Sequence, residues 1–231
     1  MNWFSLWKKD IKNGIDSDYY NSFLDFLDTN VNSILEKGSI TDVAEAISLL
    51  SLIDAGHLIQ HMPNNRYLHL FKPADVPVFS TFEIGVKRIN ELLFFESSGM
   101  TFEELGYQVV KAPQKGANIK YGENHAKLAK YFSLVLFSRT RPTRVTNSSI
   151  GNYLVRCEDE LREDMLRKLV LRVPFIQHLI VKAMNGRVSY KEEVSFLSEK
   201  TALRRKGNVK QLMEFGLNQT SYKYLLKRVE W

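Results

Sequence analysis

The chain has 231 residues, 44% hydrophobic and 25% charged, which is the composition of an ordinary soluble globular protein with material for two or three small domains. It contains no run of about 18 apolar residues, so a membrane-spanning helix is not expected; the opening MNWFSLWKKDIK places its lysines after the apolar residues, unlike a secretion signal. The net charge is +6 and unevenly spread: residues 1–80 carry six Lys/Arg against ten Asp/Glu, residues 81–180 carry 15 against 11, and residues 181–231 carry 11 against 5.

An acidic front and a basic back are two kinds of surface. The back suits phosphate-rich partners; the acidic, aromatic front suits a protein partner. The single cysteine, Cys157, has no intramolecular disulfide partner, and a reducing, cytoplasmic location fits it. No His or Asn pattern accompanies it, so it reads as an inert thiol.

In chain order, apolar positions at Tyr20, Phe23, Leu24, Leu27, Val31, Ile34 and Leu35 predict a helix over 18–36. A second helix follows, with Ser39 or Thr41 as N-cap and Gly56 as its stop. The stretch HLIQHMPNNRYLHLF alternates around Pro63-Asn64-Asn65 and predicts a hairpin. Pro73 and Pro77 mark 72–80 as the candidate linker. Residues 81–97 are helical, Thr101 and Glu104 form a capping box, and a third helix runs from Tyr121 to Leu134. VLFSRTRPTRVTN then alternates and turns at Pro142, a second hairpin. Residues 160–184 are helical, divided or kinked at Pro174; Ser189 starts a short helix, a long one follows Ser198, and the final segment 219–231 alternates again.

The recurring order of helices and a hairpin is that of a winged helix. The expected fold is mostly α with small β hairpins (α+β), as tandem winged-helix units: 1–75 as a helical or winged-helix assembly domain, 80–156 as a central unit and 160–231 as a C-terminal unit.

The sequence SEKTALRRKGNVKQLMEFGL holds the most informative pattern. On a helical wheel Ala202, Val209, Leu212 and Met213 make one apolar face, while Arg204, Asn208 and Gln211 cluster opposite with Gly207 beside them. Lys206 and Lys210 flank one edge of the core face and Arg205 the other. Arg can pair with guanine and Asn or Gln with adenine, while the remaining cations hold phosphates. Ser198 and Thr201 lie at the helix start, where a hydroxyl can cap and free N–H groups attract phosphate. Gly207 costs the helix roughly 1 kcal/mol relative to Ala, a cost that close approach to another backbone would justify.

The same stretch resembles a C-terminal winged-helix module of prokaryotic restriction and phage-defence proteins, through Leu197, Ser198, Thr201, Arg204, Arg205 and Val209. Asn208 stands where that family has Thr, and Leu212-Met213 where it has Trp-Leu. Tyr121, Ala126, Val145-Thr146 and Gly151 are similar to its companion module, so the likeness covers roughly 80–220. It implies DNA binding beside a nuclease or ATPase. In the central unit itself, Lys127 and Lys130 lie on the outer side of the third helix. Arg139, Arg141 and Arg144 follow on the hairpin, with alternation placing Arg139 and Arg141 on one strand face.

No phosphate loop, zinc-type cysteine pair or nuclease carboxylate–lysine motif is present. His57 and His61 have helical spacing but lie in a segment read as strand. The carboxylates of CEDELRED (Glu158, Asp159, Glu160, Glu163, Asp164) read as a solvated helix start. The chain is therefore expected to be non-catalytic and cofactor-free. It is read as a double-stranded DNA-binding subunit of a defence or restriction-type assembly, with the acidic N-terminal region meeting a protein partner and no membrane contact. The alternative is a winged-helix adaptor within an ATPase or nuclease complex that does not itself bind DNA. DNA and structured RNA are not distinguished at this level.

Overall fold

The computed structural model describes residues 32–60, 62, 71–110 and 116–231, and in them the protein is mostly helical with five short strands. Two compact units result. One joins the described residues up to Ile53 to Phe79–Met165; the other joins Asp54–Val78 to Leu166–Trp231. Among the described residues no helix is long and apolar enough to cross a membrane.

The first unit begins with helices α1 (Asn32–Lys37) and α2 (Ile40–Ser51). The Ser39 hydroxyl accepts from the Asp42 N–H, and the Asp42 carboxylate accepts from the Ser39 N–H. This reciprocal cap stabilises the helix by about 1 kcal/mol. Val43, Ala46, Ile47 and Leu50 bury one face. Most of the helix predicted over 18–36 lies outside the described residues; its last turns are α1.

A π-helical turn, Ile84–Arg88, runs into α4 (Ile89–Phe94), and β1 (Met100–Thr101) leads into α5 (Phe102–Val109) through the predicted Thr101/Glu104 capping box. α6 (Ala117–Tyr131) starts earlier than the apolar periodicity indicates, because Gly116, at φ +84°, turns the chain directly into it. α5 and α6 touch backbone to backbone. A Cβ on Gly106 would collide with the Asn118 carbonyl oxygen, and one on Gly122 with that of Phe102. β2 (Val135–Phe137) and β3 (Arg144–Asn147) form the predicted hairpin, and β1 pairs with the other edge of β3, giving the antiparallel order β1-β3-β2. α7 (Ser149–Val155) closes this region, and Arg162 fastens its end by donating to the carbonyls of Leu154, Val155 and Cys157. Leu105, Leu128, Phe132, Val135, Val145 and Ile150 form the core.

The second unit corrects two expectations. α3 (Ala55–Gln60) is a helix where the first arm of a hairpin is predicted, and Gly56 lies inside it instead of ending α2. The Asp54 carboxylate accepts from the Gly56 N–H at 2.7 Å and starts the turn, and Ala55, Gly56 and Ile59 are buried together at helical spacing. The rest of that predicted hairpin lies almost wholly outside the described residues. At the other end, the alternation of 219–231 does not form a hairpin. Ser221–Arg228 is a 3₁₀ helix, and the one short strand there, β5 (Val229–Glu230), pairs in parallel with β4 (Val188–Ser189). A three-residue period prevails over the two-residue one because it sets Tyr222, Leu225 and Arg228 in register. Leu225 is then fully buried, and Arg228 donates to the carbonyls of Ala183 and Met184, 3.0 Å each.

α8 (Asp159–Val170) begins in the first unit and ends in the second, which continues with α9 (Pro174–Asn185), α10 (Tyr190–Glu193) and α11 (Glu199–Leu217). Pro174 occupies the first turn of α9, where its missing N–H costs nothing, so it divides two helices. Glu158, Asp159 and Glu160 are exposed at the start of α8, as a solvated acidic first turn predicts.

Candidate nucleic-acid interface

α11 has two unlike sides. Val209, Leu212, Met213, Gly216 and Leu217 are buried, while Ala202, placed with them on the wheel, is half-buried. Arg204, Gly207 and Gln211 are exposed, as the wheel predicts, and Lys200 and Lys210 are exposed with them. Successive spacings of four, three and four residues put Lys200, Arg204, Gly207 and Gln211 on one stripe. Lys200 was absent from the sequence-derived set although it is i−4 from Arg204, a spacing that would have found it.

A Cβ at Gly207 would meet nothing within 4 Å. Packing among the described residues therefore gives no reason for a glycine there, in contrast to Gly106 and Gly122. Lys210 approaches Glu214 at 3.9 Å, an exposed i,i+4 pair worth a few tenths of a kcal/mol, so its charge stays available. The Ser198 hydroxyl donates to the Thr201 hydroxyl at 2.9 Å and does not cap the helix, leaving the first-turn N–H groups without a side-chain partner.

The three consecutive cations separate. Arg204 points outward, whereas Arg205 is half-buried and donates to the carbonyls of Pro73 and of Val76, the latter at 2.7 Å. Arg205 holds the 72–78 segment and is not a free phosphate ligand. Lys206 is half-buried on the edge of a groove between α10 and α11, and Asn208 is half-buried as well. Thr201, also half-buried, stays with Ser198 at the helix start.

In the first unit the predicted cations are more committed. Lys127 pairs with Glu123 at 2.5 Å and Lys130 with Glu36 at 3.1 Å. The Glu123 carboxyl is raised by burial, but hydrogen bonds from Lys120 and Lys127 outweigh this and hold it below its ordinary value. Arg144 donates to the carbonyls of Ser98 (2.9 Å) and Gly99 (2.6 Å), pinning β3 to the turn before β1. Arg139 and Arg141 are exposed, but not on a strand face as alternation suggests. β2 stops at Phe137, and Ser138 closes the connection, its N–H donating to the Arg144 carbonyl and its hydroxyl accepting from the Arg144 N–H. They sit on the loop, beside the cis Arg141–Pro142 bond.

His125 is fully buried on α6, its Nε2 accepting from the Thr81 N–H at 3.2 Å and its Nδ1 2.9 Å from the Tyr121 carbonyl oxygen. This arrangement requires a neutral ring protonated at Nδ1, and burial lowers its pKa. His178 lies 2.5 Å from Glu193, which also accepts from Lys182 at 2.7 Å. Cys157 is half-buried, and burial raises its thiol pKa, so it stays protonated near neutrality. Among the described residues no three His, Cys, Asp or Glu side chains converge as metal ligands would.

No family model, curated protein or solved structure matches the chain.

Proposed function

We propose that the protein is a non-catalytic, cytoplasmic DNA-binding subunit that lays the exposed stripe of α11 on double-stranded DNA. The observation carrying this reading is the stripe of Lys200, Arg204 and Gln211 around a glycine with open space beyond it, with Lys210 exposed to one side. The lysines supply sequence-independent attraction to phosphates, Arg204 and Gln211 are of the types that read base edges, and Gly207 removes the side chain where a backbone would approach. The exposed Arg139 and Arg141 on the β2–β3 loop would be further phosphate contacts in the manner of a wing.

The order α4, β1, α5, α6, β2, β3, with its three-stranded sheet, supports a winged helix over 80–156. For 160–231 the reading rests on the order α9, β4, α10, α11 without a second hairpin. The family resemblance extends the proposal to a prokaryotic defence or restriction-type assembly, with the acidic N-terminal region as its protein contact.

Fluorescence anisotropy with a mixed-sequence duplex at low salt tests this, comparing the parent chain with Arg204→Glu/Lys210→Glu. Both residues are exposed, so circular dichroism should be unchanged while binding is lost. A folded variant that binds as tightly as the parent would reject α11 as the interface.

A further inference from the structure

We propose that the groove between α10 and α11 docks an acidic segment of a protein partner, seating one large apolar side chain between flanking carboxylates. The proposal goes beyond the nucleic-acid reading and stands without it. The groove has a volume of about 400 Å³, room for a large side chain with its neighbours. Its floor is apolar: Val194, Tyr190 and Trp231, the two rings 5.7 Å apart. The Tyr190 hydroxyl donates to the Ala202 carbonyl, and burial pushes its pKa up to about 12, so this ring stays neutral.

One wall is Leu203, 70% exposed on a helix whose other outward positions are polar or glycine. An aliphatic side chain left in water beside an apolar floor is covered favourably by an apolar group seated in the groove. Lys191 and Lys206 line the same groove against the single carboxylate of Glu199, and Lys200 and Arg204 continue the positive charge along α11. A purely apolar partner would have no use for those cations, whereas a carboxylate on either side of the anchor would. A nucleic acid would use the lysines but not the aliphatic wall. Leu203, Val194 and Leu197 offer neither a stacking plane nor donors for base edges, and the Tyr190 ring on the floor is buried, out of reach of bases stacked within a duplex.

The test is selection of random peptides displayed on phage against the full-length protein, followed by anisotropy of the selected synthetic peptides. Three variants are compared with the parent: Leu203→Glu, which charges the wall; Ser195→Trp, which fills the groove from an exposed position; and Lys206→Glu, which reverses the rim. Selected peptides should share a large apolar residue flanked by Asp or Glu. Their affinity should fall at least about tenfold with each variant, as for loss of an interface anchor, while Ser195→Trp keeps duplex binding unchanged. No enrichment, or enriched peptides without acidic residues, would overturn the proposal. So would a Ser195→Trp variant that loses duplex binding as severely as peptide binding, which would assign the groove to nucleic acid. Failure of the parent chain to bind duplex counts against the DNA reading alone and leaves the peptide result standing.

Discussion

Replacing Gly207 by alanine separates what the residue does for the fold from what it does for a ligand. In a helix interior Gly is roughly 1 kcal/mol less favourable than Ala. The added methyl meets no atom of the described residues within 4 Å, so no clash among them offsets that gain. Gly207→Ala should therefore stabilise the protein by about 0.5–1 kcal/mol, raising Tm by roughly 2–4 °C per kcal/mol for a chain of this size. On the duplex the sign reverses. A methyl placed where a sugar–phosphate backbone approaches should weaken binding about tenfold, equal to about 1.4 kcal/mol. Thermal melts by circular dichroism and duplex anisotropy on the same preparation read both. A lower Tm would refute the packing argument, and a stabilised variant with parent-like affinity would refute close approach at Gly207.

Adjacent arginines should behave as opposites: Arg205→Ala loses hydrogen bonds to two carbonyls and should cost about 1–3 kcal/mol in urea denaturation with little effect on duplex affinity, while Arg204→Ala should leave stability within about 0.5 kcal/mol and weaken the duplex. Gly106→Ala and Gly122→Ala each drive a methyl into a neighbouring carbonyl and should destabilise by more than about 2 kcal/mol; a normal urea midpoint for either would contradict the backbone contact of α5 and α6. His125 has a folded pKa below its ordinary value of about 6.5, so its contribution is complete above that pH and is lost as pH falls through it toward the folded pKa. The parent should therefore lose more stability between pH 7 and pH 5 than His125→Gln, and parallel losses would remove the neutral-histidine argument.

Much of the local structure was legible because its signals are short-range. Ser39 as one of two candidate caps, Thr101 with Glu104, Pro174 as a kink or division and the hairpin around Pro142 each act within a few residues. The two misread segments were those where alternation competed with a longer period. At His57–Gln60 the Asp54 cap was the available signal. At 221–228 the deciding factor was burial of Leu225 among elements distant in sequence, which no local pattern carries. The candidate interface was legible in part. The wheel separated the outer side of α11 from its core side, but it could not tell Arg205 from its neighbours, because the carbonyls of Pro73 and Val76 are about 130 residues away. Likewise Lys127, Lys130 and Arg144 resemble free cations in the sequence. Glu36 and the turn at Ser98–Gly99 engage two of them through long-range contacts that periodicity does not encode.

The central claim is that the exposed stripe of α11 meets phosphates, and the salt dependence of duplex affinity tests it most directly. Each neutralised phosphate contributes about −0.9 to the slope of log K against log salt concentration. The parent chain should bind a mixed-sequence duplex with a steep negative slope, and Lys200→Ala/Arg204→Ala/Lys210→Ala should flatten it by roughly 2–3 without changing the circular dichroism spectrum. An unchanged slope in the folded triple variant, or no salt-sensitive binding by the parent at low salt, would contradict the account.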